Sequence, residues 1–216
     1  MPITAGMVSA ASGLKNPAGA VELNYRVNLC ANPNFDGSTT FWAANGAGAS
    51  IEKSEEAFIS GTSSLKVTMD TGSFTGAVYG NSGRIPVTPG ESYRFSLYIK
   101  TGPDNEVSSY RLRTRTFTAI SGGSTIANPA SAAVEIQPDS EWTRLSFAPV
   151  YSDPGIAAIT LTIDRTTTTT ASGDFFYIDN VIFEKSSTLK DYFDGNSPGA
   201  FWGGAENASI SGITPY

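Results

Sequence analysis

The 216-residue chain contains no histidine. That removes Ser-His-Asp and Cys-His triads, histidine metal sites and the commonest general base at neutral pH. Its single cysteine, Cys30, has no partner for an intrachain disulfide. Charged residues make up only 16% of the chain, and long Glu/Lys-rich helical faces are missing. No apolar window approaches the length of a membrane span, so membrane insertion is not expected. The N-terminal MPITAGMVSAASGLKNP lacks a basic region followed by an apolar one and does not read as a signal peptide. Folding in the cytoplasm of the cell that makes the chain is therefore expected.

Excess positive charge is also absent. The net charge is -6 and the pI about 4.6, which argues against a nucleic-acid partner. A neutral or weakly polar ligand suits this balance better. The 20 acidic residues are scattered, with no recognisable pair of the kind that hydrolyses glycosides, so no catalytic activity is expected.

What the chain does have is turn chemistry and alternation. There are 22 Gly and 12 Pro beside abundant Ser and Thr. Residues 1–26, rich in Gly, Ala and Ser, read as an arm or attachment segment, with Val21–Leu29 a short extended piece. Short strand signals then run to Lys185. SSLKVTM (63–69), SYRFSLYIK (92–100), YRLRTRTF (110–117), EWTRLSFAPV (141–150) and AAITLTIDR (157–165) each carry one apolar and one polar face. PVTPGES, TGPDNEV, SGGST, QPDS and SDPG separate them, with Pro or Gly where turns need them. Thr166–Thr170 reads as an exposed hairpin tip. This pattern predicts an all-β protein, an antiparallel β-sandwich of the jelly-roll kind over residues 27–185. Residues 186–216 form a tail segment, aromatic and Gly/Asn-rich, too small for a core of its own.

One strand is irregular. In FFYIDNVIFEKSS (175–187), an Asp-Asn pair interrupts an otherwise apolar run. Simple alternation puts Phe175, Tyr177, Asp179 and Val181 on one face and Phe176, Ile178, Asn180 and Ile182 on the other. A carboxylate on either face needs a partner.

Five segments, RVNLCANPNFDGSTTFW (26–42), AFISGTSSLKVT (57–68), VTPGESYRFSLYIKT (87–101), EWTRLSFAPV and FFYIDNVIFEK, occur in an order and spacing with a known counterpart. Together they resemble carbohydrate-binding modules of the calcium-containing jelly-roll type attached to xylanases and cellulases. The ending YFDGNSPGAFWGGAENASIS (192–211) is similar to the closing motif of minor tail proteins of long-tailed actinobacterial phages. The two resemblances imply a non-catalytic virion protein at the tail tip that binds host-surface or cell-wall carbohydrate. They also imply other phage tail proteins as partners and, by analogy with tail-tip proteins, a homotrimer. Two other roles stay open: a structural tail or baseplate decoration that binds no sugar, and a module of a glycan-degrading enzyme.

The module resemblance implies a structural Ca2+ held by Asp36 and Asp179 together with carbonyls of the Ile59–Ser64 loop. Here Asp36 stands where Glu is frequent and Asn180 where a second Asp is common. The alternative is that Asp179 accepts hydrogen bonds from backbone amides at a sheet edge. For sugar binding, the polar strand faces supply Tyr98 on one strand, Arg111, Arg113 and Arg115 on a second, and Thr160, Thr162 and Asp164 on a third. If those strands are neighbours they form a shallow groove with one ring, bordered by Tyr79 and Arg84. The alternative is a solvated face of mutual salt bridges. Trp42 and Trp142 match family positions that pack into the core, and Trp202 is expected to anchor the tail or an oligomer contact.

Overall fold

The computed structural model describes residues 25–69, 75–80, 83–166 and 173–214. In chain order its strands are β1 (Arg26–Asn28), β2 (Trp42–Asn45), β3 (Ser50–Ser54), β4 (Ser64–Thr68), β5 (Gly76–Tyr79), β6 (Ile85–Pro86) and β7 (Tyr93–Thr101). They continue with β8 (Ser108–Phe117), β9 (Val134–Ile136), β10 (Thr143–Phe147), β11 (Ala158–Arg165), β12 (Phe175–Lys185), β13 (Ala200–Trp202) and β14 (Ser211–Ile213). No helix occurs among the described residues. The hairpin expected at Thr166–Thr170 lies largely outside the described residues, as does the arm up to residue 24.

Two antiparallel sheets make the sandwich. One runs β10-β7-β12-β4-β3; the other runs β2-β5-β11-β8-β9, with β6 also pairing β11. Alternation decides what lies between them. Phe95, Leu97 and Ile99 of β7 meet Leu112 of β8, Ile159, Leu161 and Ile163 of β11, and Phe176 and Ile178 of β12 in one core. Each of these side chains is fully buried, the state that yields about 1.5–3 kcal/mol per large apolar side chain. Close approach of β5 to β11 requires Gly76. A Cβ there would run into the backbone carbonyl of Ile163.

Strand β12 departs from simple alternation. Asp179 pairs with Tyr98, but the next matched residue is Ile182, opposite Ser96, so three steps on β12 answer two on β7. Asn180 is the extra residue, at a φ of 52°, in the left-handed region that Asn tolerates better than most residues. The bulge shifts the phase. Val181 and Phe183 rejoin Phe176 and Ile178 in the core, so the expected grouping of Val181 with Asp179 is incorrect. Alternation cannot anticipate a one-residue insertion in the ladder.

The N-terminal arm and the tail meet each other. Strand β14 pairs with β1 on one side and β13 on the other. Trp202 anchors the tail as expected: its Nε1 donates to Asn196 at 3.0 Å and its ring fills the space beside Gly195. Arg26 links this small sheet to the sandwich. Its Nε and Nη2 each donate to the Glu184 carboxylate at 3.0 Å, and the guanidinium lies 4.8 Å over the Phe193 ring. Asn28 adds a second tie, donating to the Val181 carbonyl at 2.9 Å and accepting from the amides of Cys30 and Phe183 at 3.1 Å.

Glu184 is buried, so removing its partner strands a carboxylate. Arg26→Ala is expected to cost about 2–3 kcal/mol, somewhat below the range for breaking a wholly buried pair because Arg26 is partly solvated. Urea unfolding measures this. A loss under 0.5 kcal/mol, as an exposed pair would give (about 0.2–1 kcal/mol), would show that the tail is not locked through Arg26.

Candidate functional site

The arginine-bearing strand and the Thr/Asp-bearing strand are neighbours. Strand β8 pairs with β11 along its whole length, placing Arg111 opposite Asp164, Arg113 opposite Thr162 and Arg115 opposite Thr160. All six point away from the core, because Leu112, Thr114 and Thr116 alternate inward against Ile163, Leu161 and Ile159. A polar groove of about 360 Å³ opens on this outer face. Arg84, Arg113, Arg115, Thr160 and Thr162 line it with Asn45 and Phe117.

Asp164, on the same outer face of β11, is fully buried. Arg113 clasps it with Nε 2.9 Å from Oδ2 and Nη2 3.1 Å from Oδ1, while Asn45 Nδ2 donates to Oδ1 at 2.8 Å. Arg111 Nε stands 3.8 Å from Oδ2. Burial pushes this carboxyl above its ordinary pKa, against the pull of Arg113 and then of Arg111. Arg113 and Asp164 are therefore brought together, but as an ion pair with each other, the mutual salt bridge of the alternative reading. The solvated face of the alternative reading is closed over β11, whose eight residues are all buried.

Arg84 borders the groove as expected. Its Nη1 donates to the Ala119 carbonyl at 2.8 Å and to that of Gly122, and its Cζ sits 3.4 Å over the Phe117 ring. Arg115 is exposed and donates from Nε to Asn128 at 3.2 Å.

Three expected aromatic positions need correction. Tyr98 lies on β7, in the other sheet, and faces outward from it beneath the Arg144 guanidinium, 5.6 Å from the ring. It cannot share a groove with β8 and β11. Tyr79 is opposite Leu161, which turns its side chain into the core, where it packs on Trp42 and accepts the Ala31 amide at 2.9 Å. Trp142 is half-buried outside the five-stranded sheet, 6.5 Å from the Tyr177 ring, whereas Trp42 is in the core as expected. The groove's own aromatic, Phe117, is covered by Arg84. Asn45 and Asn128 were not foreseen. Asn45 sits on a short edge strand, and its one local signal, the Asn-Gly dipeptide, marks a turn rather than a site.

The Asp179 bulge is separate from the groove. Its Oδ2 accepts the amides of Ile59 at 2.7 Å and Ser60 at 3.3 Å, and Oδ1 accepts that of Asn180 at 2.6 Å. Ser60 Oγ donates to Asn180 Oδ1. Asp36 holds the same loop further on, accepting the Thr62 amide at 2.6 Å and the Thr62 hydroxyl at 3.0 Å. The Ile59–Ser64 loop thus presents amides to both carboxylates, the contacts of the amide-binding alternative. Burial, followed by the Asp36 charge, raises the Asp179 pKa to about 7 although the three amides favour the ionised form.

An antiparallel sandwich with a polar groove across one outer sheet face is the architecture of ligand-binding β-sandwich modules. The family model described as Carbohydrate binding domain matches residues 27–170, and the chain belongs to that family. No curated protein matches the chain. Among solved structures it is similar to the CBM22-1 xylan-binding domain of Paenibacillus barcinonensis Xyn10C, with TM-score 0.56 and 18% identity over 77% of this chain and 96% of that one. It is also similar to the C-terminal family 22 carbohydrate binding module of Clostridium thermocellum Xyn10B, with TM-score 0.55 and 19% identity over 78% and 96%. At these identities the likeness is one of fold.

If Asp179 supports the fold through its amides, Asp179→Ala leaves three donors without acceptors and should cost about 3 kcal/mol. Asp179→Asn keeps an acceptor oxygen and sheds a buried charge, so it should stay within about 1 kcal/mol of the parent. Thermal unfolding in the presence of chelator compares the two; equal losses would refute the amide-holding role.

Proposed function

We propose that the chain is a non-catalytic carbohydrate-binding module whose ligand lies in the groove formed by β8, β11 and Arg84. The observation that carries this reading is the coincidence of a family-matched sandwich with a polar groove lined by guanidinium, hydroxyl and amide groups, the donors and acceptors that pair with sugar hydroxyls. Removal of the Arg113 guanidinium should weaken retention by wall polysaccharide or xylan at least ten-fold in affinity electrophoresis. Tyr98→Ala, on the opposite sheet, should leave it unchanged. Absence of binding to any wall polysaccharide or xylan would end the reading.

The setting we propose is the tail tip of a phage, where the module contacts host-surface glycan beside other tail proteins, in a homotrimer. The support is the resemblance of residues 192–211 to the closing motif of phage minor tail proteins. A specific observation favours a second reading, a tail decoration that binds no sugar: Arg113 and Asp164 are paired with each other and Phe117 is covered. The fold likeness to modules of xylanases supports a third setting, beside a glycan-degrading domain.

We further propose a structural Ca2+ between Asp36 and Asp179. Among the described residues no three Cys, Asp or Glu side chains converge on one point, so such an ion would draw most of its ligands from carbonyl and hydroxyl oxygens. What favours it is charge. Asp36 repels Asp179, and among the described residues no Lys or Arg pairs with Asp179. Chelation should lower the melting temperature by several degrees, and calcium should restore it, in the parent but not in Asp179→Asn. An unchanged melting temperature with no bound metal would remove the ion.

A further inference from the structure

Positive charge is unevenly placed. The chain has a net charge of -6 and eight arginines, yet four of the eight (Arg84, Arg111, Arg113 and Arg115) flank one groove. Among the described residues one carboxylate, Asp164, pairs with any of them, and it is engaged by Arg113 and Arg111. Among the described residues, neither Arg84 nor Arg115 has a carboxylate within 4.0 Å. Their hydrogen-bond partners are neutral: two carbonyls for Arg84 and the Asn128 amide oxygen for Arg115.

The ladder sets their spacing. Ile85 of β6 pairs with Ile159, so Arg84 enters alongside Thr160 from one side of β11. Arg115 lies directly opposite Thr160 from the other side. Two strand spacings separate their backbones, about 10 Å, with Thr160 between them, and all three residues line the groove. Arg84 is held by carbonyls and by the Phe117 face, so its orientation is fixed in advance, whereas Arg115 is exposed and is held through its Nε by Asn128. Two guanidiniums without acidic partners that line one groove, with a threonine between their backbones, match an oxyanion that accepts from both.

We propose that the groove selects an acidic glycan, and that the anionic group of a sugar unit, a uronate carboxylate or a phosphodiester, seats between Arg84 and Arg115 over Thr160. This rests on the glycan-binding reading of the same groove. The net charge of -6 makes adventitious attraction of polyanions weak, so recognition is local and falls as salt screens it. A neutral sugar would leave both guanidiniums with their present partners and gain only hydroxyl contacts.

The test compares glucuronoxylan, the same polymer after carboxyl reduction to a neutral chain, and a glycerol-phosphate wall polymer, each by affinity electrophoresis at low and high NaCl. The expected result is at least ten-fold tighter binding of one or both acidic polymers than of the reduced one, weakening as NaCl rises. Arg115→Gln should erase that preference, and Arg115→Lys should restore part of it by returning charge without the planar fork. Which acidic polymer is preferred assigns the anion as carboxylate or phosphate. Equal, salt-independent binding of all three polymers overturns the acidic preference while leaving glycan binding intact. Acidic preference that survives Arg115→Gln places the anion elsewhere and also overturns the proposal. Retention of none of the three polymers removes the glycan-binding reading and this inference with it.

Discussion

A single extra residue in β12 governs how the two ends of the molecule are joined. The Asn180 bulge lets one strand keep Phe176 and Ile178 in the core, turn Asp179 outward, and return Val181 and Phe183 to the core. Asp179, facing out, becomes available to the Ile59 and Ser60 amides, and the Val181 and Phe183 backbone becomes available to Asn28. Loop, first strand and last long strand therefore meet at one irregularity. The buried carboxylate is tolerated because backbone donors surround it, and its raised pKa records that they do not fully offset burial.

The opposite side of the sandwich solves a related problem differently. Strand β11 is apolar on its inner face and carries Thr160, Thr162 and Asp164 on its outer one, yet all of them are buried. Arginine side chains from β8 supply both the cover and the hydrogen bonds, since a guanidinium can shield a strand with its stem while pairing with a carboxylate at its tip. Depth in this groove comes from long side chains standing on a flat sheet. Its recognition chemistry accordingly belongs to Arg84, Arg113, Arg115 and Asn45 rather than to aromatic rings.

Docking of the tail ties residues 186–214 to the sandwich although they have no core of their own. Arg26 reaches Glu184, the Asp191 carbonyl and the Phe193 ring at once, so one cation serves an ion pair, a backbone acceptor and an aromatic face. Short strands β13 and β14 exist because β1 offers an edge to pair with; in isolation a three-residue strand has too few contacts to persist.

Much of the sandwich could be read directly from residues. Period-two alternation in 63–69, 92–100, 110–117 and 157–165 marked long strands and their inward faces, because a pleated backbone turns successive side chains to opposite sides. The composition restricted the chemistry by leaving out histidine and paired cysteines. Alternation carries no information about which strand lies beside which. Arg113 and Asp164, far apart in the chain, became partners because β8 and β11 pair. Tyr98, on an equally polar strand face, was removed to the other sheet by the same topology. The Asp179 environment likewise required the ladder itself, since only inter-strand hydrogen bonding reveals where one residue has been inserted. Local sequence determined the strands and their faces; long-range backbone pairing decided which faces meet, and with them the site.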